Sequence, residues 1–144
     1  MQIICSLKLS YYILIFSFFF STACSPGYDQ DFYERVSGIS IPGKKTVIES
    51  FDNGEYLTIS SFRLTKSDMK KFLHAYNFKK LPAEMNLELL GGRKELREIL
   101  PEDRNRENYF YISGQKAKTT WLYIADTALC TLWAEIQYPD FAGN

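Results

Sequence analysis

NYFYIS (108–113), TTWLYIA (119–125) and ALCTLWAEIQY (128–138) decide the fold. Each run is rich in β-branched and aromatic residues, and the runs are separated by the turn-forming Gly114-Gln115-Lys116 and Asp126-Thr127. The pattern predicts a three-strand antiparallel meander. Because strand side chains alternate between two faces, Phe110, Ile112, Leu122, Ile124, Leu132, Ala134 and Ile136 are expected together on one face. Tyr109, Tyr111, Trp121, Tyr123, Trp133 and Glu135 are expected on the other. The first set suits burial under a helix; the second is aromatic and polar at once.

Working back along the chain, residues 45–51 and 55–64 read as two strands joined by Asp52-Asn53-Gly54, a hairpin signal because Asn-Gly readily adopts positive φ. Thr65 then fits a helix N-cap with Asp68 three residues on, and Met69, Phe72, Leu73 and Tyr76 recur at i, i+3, i+4 and i+7. Lys66, Lys70, Lys71 and His74 fall on the wet side of that helix. After Pro82, residues 84–90 and 94–100 are short helical candidates separated by Gly91-Gly92. Upstream, Phe32, Val36 and Ile39 have helical spacing, but Ser37-Gly38 and Pro42-Gly43 keep any helix brief. Hairpin, helix and meander in this order predict an α+β fold, an antiparallel sheet with one main helix packed on one face.

The chain has 144 residues, 46% hydrophobic and 24% charged, enough for one domain. Residues 1–23 contain one basic residue, Lys8, no acid, and an apolar run over 11–20 that is too short for a permanent span and suits a secretory leader. The formal charge of 0 becomes −1 once this leader is removed, so the attraction behind sequence-independent nucleic-acid binding is missing. No nucleic-acid partner is expected.

The tetrad Ser21-Thr22-Ala23-Cys24 resembles the lipobox of bacterial lipoproteins, with Ser21 where Leu is usual. The resemblance implies a signal peptide over 1–23, acylation of Cys24 (a palmitate-type modification), a lipidated tether over 24–31 and a single domain over 32–144. Ser25 follows Cys24 where lipoproteins retained at the inner membrane often carry Asp, which leans toward the outer membrane, facing the periplasm. With Cys5 in the leader and Cys24 acylated, Cys130 has no disulfide partner and reads as a small buried hydrophobe in its apolar stretch.

The residue inventory limits the chemistry. One histidine, His74, and one unlipidated cysteine cannot assemble a Cys/His metal centre, and no Gly-x-Ser-x-Gly elbow presents a nucleophile. Neither metal nor cofactor is expected. Glu95 with Glu98, and Glu102 with Asp103, offer carboxylate pairs, but they interleave with Arg93, Lys94, Arg97, Arg104 and Arg106 as a solvated, salt-bridged face does. The basic stretch 63–80 reads as a solvated helix face, with anionic head groups or an acidic protein as its functional alternative. Tyr109, Tyr111, Trp121, Tyr123 and Trp133 offer large contact area with polar tips, which suits a recognition surface unless the 84–100 helices cover them as a second core. The expectation is a non-enzymatic, lipid-anchored envelope protein that binds a protein partner, as an inhibitor, immunity-type protein or accessory subunit. A glycan or small-molecule module is the alternative, and a carboxylate-based envelope hydrolase ranks last.

Overall fold

The computed structural model describes residues 28–82, 86, 91–100 and 106–139. In chain order they form α1 (Gln30–Ser37), β1 (Lys45–Asp52), β2 (Leu57–Leu64), α2 (Lys66–Ala75), β3 (Lys79–Lys80), α3 (Lys94–Ile99), a 3-10 turn (Arg106–Asn108), β4 (Tyr109–Lys116), β5 (Thr119–Asp126) and β6 (Thr131–Gln137). The six strands make one antiparallel sheet in the order β1-β2-β6-β5-β4-β3. The class is therefore α+β. The candidate helix at 84–90 lies outside the described residues, apart from Asn86.

Local chemistry sets the element ends. Thr65 Oγ1 accepts the Asp68 N–H at 3.1 Å and donates to Asp68 Oδ2 at 2.9 Å, which fixes the first turn of α2. Met69 and Phe72 of α2 are buried, while Lys66, Lys70, Lys71 and His74 are exposed. In the β1–β2 turn, Asn53 Oδ1 accepts the N–H groups of Glu55, Tyr56 and Leu57 at 2.9–3.1 Å, and Gly54 takes φ +72°. Asp29 caps α1 through the Phe32 N–H, and Gly38 at φ +72° ends it.

The fold begins earlier than residue 32. The Tyr28 ring lies 4.6 Å from that of Phe62, and Asp29 to Asp31 build the start of α1. These residues belong to the domain, which shortens the expected tether.

Both sheet faces are covered, where the sequence predicts a helix on one. Tyr33 of α1 and Met69 and Phe72 of α2 pack with Phe62, Tyr123, Leu132 and Ile136 on one face. Leu96 and Leu100, in and beside α3, pack with Leu57, Ile59, Tyr109, Leu122, Ile124 and Trp133 on the other. The buried hydroxyl of Tyr33 reaches Thr58 Oγ1 at 3.2 Å and Ser60 Oγ at 3.1 Å, and burial pushes its pKa up to about 12.

The register also corrects the expected faces. β4 runs on to Lys116 and turns through Ala117-Lys118, so Ile112 pairs with Tyr123 and Tyr111 with Ile124. The next loop, residues 127–130, pairs Tyr123 with Ala134 and Ile124 with Trp133. Both loops hold an even number of residues, so paired positions differ in parity and β5 presents the faces opposite to those read by counting odd and even. Cys130 sits in the second loop at φ +53°, half-buried rather than in a strand. The loop is built on Asp126, whose Oδ1 accepts the N–H groups of Ala128 and Leu129 at 2.8 and 3.1 Å.

Gly114, expected in a turn, pairs with Trp121 inside the β4–β5 ladder. A Cβ there would stand 2.8 Å from Trp121 Cε2 and closer still to Cζ2, so the indole occupies the space that any side chain needs. Gly114→Ala is expected to displace Trp121 and to cost about 1–3 kcal/mol in urea unfolding, the usual range for overpacking. A variant as stable as wild type contradicts this placement.

Candidate functional sites

The register divides the five predicted recognition aromatics between the two faces. Tyr109, Tyr111 and Trp133 lie on the α3 face, and Trp121 and Tyr123 on the α1–α2 face. Tyr109, Tyr123 and Trp133 are buried, and only Tyr111 and Trp121 are half-exposed. The Tyr109 and Trp133 rings meet edge to face at 6.2 Å, and Tyr123 Oη shares a 2.9 Å hydrogen bond with Ser37 Oγ. The set forms parts of two cores, and no single open aromatic face exists among the described residues, because α3, within the 84–100 stretch expected as a possible cover, closes one side.

Among the described residues the sheet edge at β1 is open. β2 pairs with β1 on one side, and no described strand pairs with the other. Val47, Ile48 and Phe51 of β1 are 44%, 50% and 40% exposed, three of the four large hydrophobic residues exposed among the described residues. The opposite edge is blunted: β3 is two lysines long. β1 carries some of the usual edge protection, with Lys45, Glu49 and Asp52 along it and a register break between Val47 and Glu49. It is still eight residues long.

A second feature lies on the α3 face. Gly91, Gly92, Arg93, Lys94, Glu95 and Arg97 line a cleft of about 520 Å³ with Tyr56 and Gln137. Near it, Glu135 is 1% exposed, and both its carboxylate oxygens share the Arg93 N–H, at 3.3 and 3.1 Å. Burial raises its pKa to about 7; the Arg93 N–H and guanidinium oppose the rise and Glu95 adds to it. The Arg93 guanidinium stands 5.8 Å over the Tyr56 ring. The sequence assigns Glu135 to a face but not to a site, although a lone acid in an apolar strand signals one.

Of the other candidates, Cys24 and the Glu102–Asp103 pair lie outside the described residues. Glu98 pairs with Lys94 across one exposed helical turn at 3.4 Å, as a solvated face does. Among the described residues no three His, Cys, Asp or Glu side chains come together in a metal-binding group, and no helix is long and apolar enough to cross a membrane. No family model, curated protein or solved structure matches the chain.

Proposed function

We propose that this chain is a lipid-anchored cell-envelope protein, attached at Cys24, that binds a protein partner and does not catalyse a reaction. The partner docks by adding an extended strand to β1, with apolar side chains set against Val47, Ile48 and Phe51. An inhibitor, an immunity-type protein or an accessory subunit fits this mode of binding. The outer membrane, facing the periplasm, suits Ser25 at the position after the acylated residue. The reading is carried by the apolar-flanked β1 edge, which no described strand pairs and whose outward backbone groups are what strand addition uses.

Recovery of bound protein from detergent-solubilised envelope tests it. Ile48→Glu and Phe51→Glu are expected to lose the partner while changing stability by no more than about 0.5 kcal/mol, as exposed substitutions do. Lys71→Glu, on the exposed face of α2, serves as the control and retains the partner. Recovery undiminished by either β1 variant contradicts the proposal. The anchor has its own measurement: the mass of the mature N-terminal peptide carries acyl chains on Cys24.

The cleft beside Arg93 favours a second reading, a glycan or small-molecule module, because its volume and its Tyr56 wall suit a small ligand. A hydrolase is least favoured. Glu135 is closed from solvent and tied to the Arg93 backbone, so it offers a substrate no free carboxylate.

A further inference from the structure

At the end of the β1–β2 hairpin farthest from its turn, Lys44, Lys45, Thr46, Arg63, Leu64 and Thr65 line a cleft of about 380 Å³. The lining holds three cations and no acid. The side chains of Lys44 and Arg63 are exposed and make no hydrogen bond or ion pair with any described residue. Thr46 and Arg63 are register partners, so their side chains share one face of the hairpin, and Lys44 lies in the bend just before β1, where the Lys45 N–H bonds back to the Gly43 carbonyl. The Lys45 ammonium is turned inward. It donates to Gln30 Oε1 and to the Pro42 carbonyl and stands 5.2 Å over the Tyr28 ring, so its charge is held by neutral partners. Burial lowers its pKa, and the charge of Glu34 opposes that shift. Asp68, the acid in the first turn of α2, is bonded to Thr65.

Chain length links this cleft to the membrane. From Cys24 to Tyr28 there are four Cα steps, which span at most about 14 Å when extended. Tyr28 lies directly under Lys45. An acyl group on Cys24 therefore holds the cleft within reach of the lipid head groups.

We infer that the Lys44–Arg63 cleft docks on the phosphates of anionic phospholipids in the membrane that holds the anchor. This rests on the anchoring at Cys24 proposed above. Unpaired cations close to an anionic surface are attracted over roughly a Debye length of 8–10 Å, and a tether that reaches at most about 14 Å lets the cleft come that near. Docking fixes how the domain stands: β1 starts at the surface at Lys45 and runs away from it for about 23 Å, at 3.3 Å per residue. Phe51 then lies clear of the head groups, where a partner strand has access.

The test uses the mature protein purified from membranes and reconstituted in phosphatidylcholine vesicles with or without phosphatidylglycerol. Amide hydrogen exchange is read at residues 44–46 and 63–65. Exchange is expected to be about tenfold slower with phosphatidylglycerol, the order of one to two cations held at an anionic surface. The Lys44→Gln/Arg63→Gln double variant, altered only at exposed side chains, is expected to lose that protection and keep the wild-type unfolding curve. Equal exchange in both vesicles overturns the inference, as does equal protection from inorganic phosphate added to phosphatidylcholine vesicles alone. The mass of the N-terminal peptide from the same sample separates the two layers. An unacylated Cys24 overturns the anchor and the docking together, whereas an acylated Cys24 without lipid-dependent protection overturns the docking only.

Discussion

Trp133→Ala is expected to cost about 3–5 kcal/mol of folding stability, the usual range for deleting a large buried aromatic. The side chain is 4% exposed, sits edge to face against Tyr109 and packs among Leu96, Leu100, Leu122 and Ile124. Removing it opens a cavity between the sheet and α3, where α3 is too short to collapse inward without losing its own contacts. Urea unfolding measures the loss as a lower midpoint at unchanged slope. Should Trp133→Ala instead leave stability nearly intact while abolishing partner recovery, the indole belongs to an exposed recognition face and the covering of that face by α3 is wrong.

The second large effect depends on pH. Glu135 has an ordinary carboxyl pKa of 4.5 once unfolded and about 7 in the fold, so the folded state holds its proton more tightly. Below about pH 4.5 both states are protonated and the full stability is present. As pH rises from there to about 7 the unfolded chain ionises first, and stability falls. The total loss is about 3 kcal/mol, reached above pH 7 when the buried carboxylate is charged. Glu135→Gln keeps an acceptor for the Arg93 N–H and cannot ionise. It is expected to abolish this slope and to be more stable than wild type by up to about 3 kcal/mol at pH 8. Unfolding curves collected between pH 5 and 8 for both proteins check this. A wild-type slope of opposite sign, or one that Glu135→Gln retains, contradicts it.

Local features of the fold are readable in the sequence, and relations between distant segments are not. Thr65 and Asp68 mark the start of α2 within one turn of chain, and Met69 and Phe72 mark its buried stripe, because both signals need only helical spacing. Asn53 and Gly54 mark the hairpin for the same reason. Alternation is likewise visible inside β5, but the face that Trp121 and Tyr123 share with a neighbouring strand depends on the number of residues in the loops. The turn lies at Ala117-Lys118, three residues after the glycine that advertises one, because Gly114 is kept for the Trp121 indole instead.

The candidate sites were less legible for a related reason. Burial of Tyr109 and Trp133 depends on α3 folding back across the sheet, a long-range contact with no local signature beyond the apolar Leu96 and Leu100. The exposure of Val47, Ile48 and Phe51 follows from β1 standing at the sheet edge, and strand order is invisible in a run that reads like any other strand. Glu135 is visible as an acid among apolar residues. Its raised pKa comes from burial by segments distant in the chain, which outweighs the opposing hydrogen bond from a backbone N–H 42 residues away.

Photocrosslinking inside living cells tests most directly whether the β1 edge is the recognition surface. A photoreactive residue placed in turn at Ile48, Phe51, Tyr111 and Trp121 reports what lies against each position. The edge account predicts one discrete adduct with an envelope protein from both Ile48 and Phe51, and none from Tyr111 or Trp121. Adducts confined to Tyr111 or Trp121, with Ile48 and Phe51 silent, contradict it.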